Sequence, residues 1–156
     1  MENNLALYAE EAKQILDISY LDGYGKVEKV EELLKTLPPA ATYTNHYFSD
    51  GVYTRESFIP ANTMLTGWRH KTSTISIMMF GVISIVLIDE FGKASDITMF
   101  NGDHIFVTKP HTKKVGFAHE DTLFVNSFSL AGLDPKYWNE DNIDKVEEFL
   151  FEKETS

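Results

Sequence analysis

Cysteine is absent from this 156-residue chain, so disulfides, thiolate metal sites and cysteine nucleophiles are excluded at the outset. A membrane-spanning run is lacking too. The longest apolar tract, Ile75 to Ile88, is interrupted by Ser76, Gly81 and Ser84 and falls short of the roughly 20 apolar residues that a bilayer demands. The opening residues MENNLALYAEEAKQ are acidic and amphipathic. Without a basic n-region followed by an apolar h-region, they predict no signal peptide. Basic charge is scarce: 14 lysines and arginines stand against 24 aspartates and glutamates, for a net charge of −10. That balance disfavours nucleic acid as a partner. The Gly-x-Ser-x-Gly elbow and the glycine-rich phosphate loop are both missing, as are internal repeats and low-complexity segments. These absences lead us to expect a soluble cytoplasmic protein with neither nucleic acid nor membrane as a partner.

What the chain does have is a core. Hydrophobic residues make up 43% and aromatics 13%, enough for one folded domain of this length. The charge is unevenly spread. Residues 1–35 hold eight acidic and four basic residues, and residues 134–156 hold eight and three. The middle, 36–133, is nearly balanced at eight acidic and seven basic, and it contains all five histidines. A local positive patch is therefore available only there.

Helical spacing marks the flanks. Leu5, Tyr8, Ala12, Ile15 and Leu16 form one apolar stripe, and Val27, Val30, Leu33, Leu34 and Leu37 another. Asp22-Gly23-Tyr24-Gly25 separates them, and Pro38-Pro39 ends the second. Ile143, Val146, Phe149 and Leu150 predict a C-terminal helix entered after Asp134-Pro135. Between the flanks the pattern shifts to short segments rich in Val, Ile, Thr, Phe and Tyr. We expect strands near 43–48, 52–59, 63–70, 73–80, 82–89, 94–99, 103–108, 113–118 and 122–129, separated by turn residues. Many short strands with no helix between them predict an antiparallel sandwich or barrel. The expected organisation is an N-terminal helical extension at 1–40, a β-barrel at 41–131 and a C-terminal helix at 132–156, in one globular domain.

The frame Gly67, His70, Gly81, followed by a second motif between Pro110 and Asn126, resembles the cupin superfamily. The pieces HYFSDGVYTRESFIPANTMLTGWRHK and MFNGDHIFVTKPHTKKVGFAHEDT are similar to small cupin-like proteins encoded by bacteriophages. The resemblance implies a mainly β, cupin-like antiparallel barrel (double-stranded β-helix or jelly roll) with amphipathic helices at both termini. It also implies the cytoplasm of a host cell if the chain is phage-encoded, and a homodimer or higher oligomer. Three departures stand out. Thr74 occupies the position of the pattern's second histidine, Phe128 that of its last, and His111 that of a turn glycine. His70 alone remains of the three histidines that would meet on a metal.

Strand parity places His70, Thr72, Thr74, Ser76 and Met78 on one face and Ile75, Ile77 and Met79 on the other. Hydroxyls facing a barrel interior cost about 1–3 kcal/mol each if unsatisfied, so they point to a wet or ligand-filled lumen, unless that face looks outward. A metal site needs about three converging N/O ligands. His70 is one candidate; His104, His111 and His119, with Asp103 or Glu56, are the residues that would have to join it. Arg69, His70, Lys71, Lys109, His111, Lys113 and Lys114 would form a positive rim if the two motifs lie side by side, suiting a phosphate, carboxylate or nucleotide. Tyr47, Tyr53, Trp68 and Phe117 offer faces on which a ring could stack. We expect non-enzymatic binding of a small anionic ligand, of the kind a phage protein would use to sequester a nucleotide-type signal. The expected binding residues are Arg69, His70, Thr72, Thr74, Tyr53, Trp68, Lys113, Lys114 and His111, with no cofactor. Two alternatives remain: a metal-dependent cupin isomerase, epimerase or oxygenase using His70 and a divalent transition metal, or a structural or assembly protein of a phage.

Overall fold

Alternation along the strands decides which side chains enter the interior, and two antiparallel sheets enclose that interior. The computed structural model describes residues 10, 14, 23–36 and 41–152. The expected helix from Leu5 to Leu16 lies outside these residues, except for Glu10 and Gln14, as does the Pro38-Pro39 stop. The described strands are β1 (Tyr43–Ser49), β2 (Val52–Ile59), β3 (Thr63–Thr66), β4 (Arg69–His70), β5 (Thr74–Phe80), β6 (Val82–Ile88), β7 (Thr98–Asn101), β8 (His104–Thr108), β9 (Lys113–Ala118), β10 (Thr122–Ser129) and β11 (Phe151–Glu152). The helices are α1 (Gly23–Lys35) and α2 (Ile143–Leu150). No helix among the described residues is long and apolar enough to cross a membrane.

One sheet runs β1-β2-β10-β5-β8 and the other β3-β9-β6-β7, with β11 and β4 as a separate pair. Gly81 carries the chain from the first sheet to the second between β5 and β6. Its φ is +109°, and a Cβ there would sit 2.3 Å from Thr122 Oγ1, so both the backbone angle and the space call for glycine. Ile59, Met78, Ile83, Ile85, Ala118 and Phe124 pack between the sheets. Each fully buried aliphatic side chain of this kind contributes about 1.5–3 kcal/mol.

One helix covers an outer face of the second sheet and the other closes one end of the interior. Val27 and Val30 of α1 pack on Val86, Ile88 and Val115 of the second sheet, three residues apart on one face as the periodicity predicts. Val146 and Leu150 of α2 join Tyr53, Phe128, Leu130 and Phe151.

Three strand expectations change. The run 63–70 divides at Gly67-Trp68, because β3 pairs with β9 while β4 pairs with the C-terminal β11. The run 94–99 gives way to β7 at 98–101. Asp89 Oδ1 accepts from the N–H groups of Phe91 and Lys93, winding a loop in which Ala94 makes only an isolated bridge to Ile88. The third change is an addition: β11, two residues long, follows α2 directly and had no sequence signal of its own.

Candidate functional site

Four strands of the first sheet place one row of side chains across its inner face. Arg55 on β2 is opposite Asn126 on β10, Asn126 is opposite Ser76 on β5, and Ser76 is opposite Phe106 on β8. From the facing sheet, Lys114 on β9 reaches over to this row. Its Nζ donates to Ser76 Oγ at 2.8 Å and to Asn126 Oδ1 at 3.1 Å, while Ser76 donates to Asn126 Oδ1 at 2.8 Å. The rings of Phe106 and Phe124 lie 5.8 and 5.5 Å from the amine. Burial pushes the Lys114 amine down to about 7, because a charge among rings and amides loses its hydration.

These groups border a cavity of about 390 Å³, lined also by Ser57, Thr66, Trp68, His70, Phe128 and Phe151. Arg55 enters it with its guanidinium 5.9 Å from the ring centres of both Trp68 and Phe151. Its Nε is buried with no hydrogen-bond partner among the described residues. None of the described residues lining the cavity is acidic. In a chain of net charge −10, this interior holds two cationic side chains and no carboxylate. Buried charges are ordinarily paired, so the arrangement is complementary to an anion.

His70 sits at one end of the cavity. Its Nδ1 is 2.9 Å from Thr74 Oγ1, and its ring packs against Phe128 and Phe151 at 5.1 and 5.3 Å. Burial first, then the positive charges of Lys114 and Arg55, lower its pKa to about 3. It is a neutral imidazole at physiological pH. The three positions at which the resemblance puts metal-binding histidines, 70, 74 and 128, do come together, but they hold an imidazole–hydroxyl bond and an aromatic ring. Among the described residues no group of three or more His, Asp or Glu side chains could hold a metal ion. His104 and His119 are exposed, and His119 Nε2 bonds Ser84 Oγ at 2.7 Å. With one imidazole, already bonded, and two cations nearby, these residues do not fit a divalent metal.

The other expected binding residues are placed as follows. Trp68 lines the cavity and is 41% exposed, so it stands at the opening. Thr74 is buried against His70, and Thr72 Oγ1 is buried without a partner among the described residues. Tyr53 is not part of the lining. It lies wholly in the α2 core, its hydroxyl 2.8 Å from His46 Nδ1, and burial pushes its pKa up to about 12.

The positive rim is not formed as expected. Lys113 lies on the opposite face of β9 from Lys114 and pairs with Glu31 of α1 at 2.5 Å. Arg69 donates to the carbonyls of Asp89 and His111 and lies 3.7 Å from Glu152. His111 Nδ1 bonds Glu152 Oε1 at 2.7 Å, and Lys71 Nζ donates to the carbonyl of Glu148. These groups fasten α1 and the C-terminal segment to the barrel, and the cations that face the cavity are Lys114 and Arg55. His111 has φ +60°, the left-handed conformation that the glycine at this position in the resembling proteins would adopt without strain.

Reading the sequence missed Arg55, Asn126 and Phe151. The first two were within reach of the strand-parity argument. Arg55 alternates with the inward Ser57 and Ile59, and Asn126 with Phe124 and Phe128. Phe151 depends on β11, which only the folded chain reveals.

No protein-family model matches the sequence, and no curated protein matches it. Solved structures do match in shape. An S161A mutant of Bacillus subtilis oxalate decarboxylase OxdC has a TM-score of 0.55 at 13% identity, over 74% of this chain and 29% of that one. KdgF from Halomonas sp. has a TM-score of 0.50 at 14% identity, over 69% of this chain and 88% of that one. The chain thus spans under a third of the length of the decarboxylase. Likeness at these identities shows the fold alone: mainly β, with two antiparallel sheets, flanked among the described residues by α1 before them and α2 after.

Proposed function

We propose that the barrel binds a small anionic molecule, held between Arg55 and Lys114, without a metal. The observation that carries this reading is the carboxylate-free cavity with two inward cations. An arriving anion would take Arg55 Nε, unpartnered among the described residues, and restore the charge lost by Lys114, each a charge-assisted bond of the stronger kind. The cavity volume lies near the lower end of the range for small-molecule sites. That favours compact carboxylates or phosphate over a whole nucleotide, so a nucleotide-type signal is the upper limit of this reading. Trp68 and Phe151 supply apolar walls for the remainder of the ligand. One structural neighbour is an oxalate decarboxylase, which makes oxalate a natural probe.

Calorimetric titration with lactate, oxalate, phosphate and nucleoside monophosphates tests the proposal. Binding of at least one probe is expected, and it weakens in Arg55→Met. An absence of heat from all of them contradicts it.

We also propose a second copy of this chain as the partner. The outer face of the first sheet exposes Ile75, Met79, Ile105 and Val107, at 48, 53, 73 and 68%, beside the half-buried Ile77 and Val125. On β1, β2, β10 and β5 that face carries one charged side chain, Glu56, which accepts from Asn45 Nδ2 at 2.9 Å. Two molecules of net charge −10 repel one another over most of their surfaces. This apolar face lets them approach, and apolar area of this kind marks interfaces.

A further inference from the structure

We propose that Lys114 captures its ligand covalently, forming a reversible imine with a small carboxylate that carries an adjacent carbonyl, a 2-oxo acid. This rests on the anion-binding reading above and adds a chemical step to it. The geometry begins with the hydrogen bonds of the amine. A neutral lysine amine has two N–H groups and one lone pair. Ser76 Oγ and Asn126 Oδ1 accept from Nζ at 2.8 and 3.1 Å, which accounts for both N–H groups. The lone pair is left for the cavity that Lys114 lines.

The two acceptors are themselves held. Ser76 is fully buried and bonds Asn126 Oδ1, with Thr108 Oγ1 3.3 Å away. Phe106 and Phe124 flank the amine and keep water from one side of it. This apolar setting accounts for the amine's depressed pKa, and lysines so placed are nucleophilic near neutral pH.

Arg55 supplies the orientation. It neighbours Asn126 across the β2–β10 ladder, so the residue that accepts from Lys114 separates the guanidinium from the amine. A carboxylate on Arg55 would place its neighbouring carbonyl carbon toward Nζ. The lone pair attacks that carbon and the C=O π electrons move to oxygen. Proton transfer from nitrogen to oxygen then gives a carbinolamine. The hydroxyl then departs with the remaining N–H proton as water while the nitrogen electrons close the C=N bond. One water leaves for each imine made, and hydrolysis returns the amine and the oxo acid. No oxidant or metal takes part. Protonation of the imine leaves a cation in the same position as the original ammonium, facing the bound carboxylate.

The test is reductive trapping. The full chain is incubated with pyruvate or glyoxylate and sodium cyanoborohydride, and its intact mass and peptide map are recorded. A single reduced adduct on Lys114 is expected, absent with lactate, which has the carboxylate but no carbonyl. It should also be absent in Lys114→Arg, which keeps the charge but has no amine able to form an imine. Because that variant could fold poorly, the peptide map of the unmodified protein locates the adduct independently. Calorimetry with lactate separates the two readings. If lactate binds and no adduct forms with either oxo acid, the imine is overturned and anion binding stands. If neither lactate nor the oxo acids bind, the imine is overturned, and anion binding falls with it when oxalate, phosphate and the nucleoside monophosphates also give no heat. Adducts scattered over surface lysines with no preference for Lys114 also overturn the imine.

Discussion

The two faces of β5 invert the usual pattern of a half-buried strand. Thr74, Ser76 and Met78 are buried inside the barrel, while Ile75 and Met79 are about half exposed on its outside. A sheet with one wet face normally turns its apolar residues inward. Here hydroxyls occupy the interior and aliphatic groups meet solvent. Some inner polar groups satisfy one another, His70 with Thr74 and Ser76 with Asn126 and Lys114, while Arg55 Nε has no partner among the described residues. No such compensation covers the outer Ile75, Ile105 and Val107. Local inconsistencies of this sort concentrate where a protein has something other than stability to maintain. The inner one points to a ligand and the outer one to a second subunit.

The largest effect is expected at Lys114. The Lys114 amine is desolvated with no carboxylate beside it among the described residues of the cavity, so Lys114→Met, an apolar side chain of similar length, should raise the melting temperature. It should also remove a pH dependence. The folded value of about 7 lies below the ordinary 10.5. Between those values the unfolded chain holds a proton that the folded chain has released, so stability rises with pH across that window. His70 acts in the same direction between about 3 and 6.5, so its contribution is lost as pH falls through that range. Arg55 and His70 are the other titratable groups facing the cavity. Thermal melts from pH 6 to 10 should show the upper slope in the unmodified protein and not in Lys114→Met. Equal slopes would mean that Lys114 is solvated.

Arg55→Met removes the second cation of the inner face. Losing a charge-assisted bond of about 1.5–3 kcal/mol should weaken anion binding by about tenfold to a hundredfold in calorimetry, with the fold intact by circular dichroism.

On the outer face, Ile105→Lys places like charges against each other across a two-fold interface. An increase of at least tenfold in the dimer dissociation constant, about 1.4 kcal/mol, is expected by sedimentation, with ligand affinity unchanged. A protein that sediments as a monomer before any substitution contradicts the assignment of that face. The smallest effect is expected for Thr74→Val, which leaves His70 Nδ1 buried without its partner. Chemical denaturation should report a loss of about 1 kcal/mol.

Much of this was legible in the sequence, and the failures have identifiable causes. The alternation TSTISIMM gave the two faces of β5, and the helical spacing of Val27 and Val30 gave the packed face of α1. The pair Lys113-Lys114 was visible as charge. Neighbours on a strand point in opposite directions, so only the register of β9 could say which lysine enters the barrel. Arg55 shares its face of β2 with Ser57 and Ile59, so parity groups the three, but only the pairing of β2 with β10 shows that this face is the inner one. The roles of Arg69 and His111 depended on Glu152, more than forty residues away in β11. Local pattern fixes which face a residue shares; long-range register decides whether that face is inside.

The most direct measurement is a lactate titration near pH 8 in two buffers of different ionisation heat. Lys114 is then mostly an uncharged amine, and an anion beside it should draw a proton onto it. The account predicts binding with net proton uptake that disappears in Lys114→Met. Binding of undiminished strength in that variant, or none in the unmodified protein, would contradict the central claim that this cationic interior exists to hold an anion.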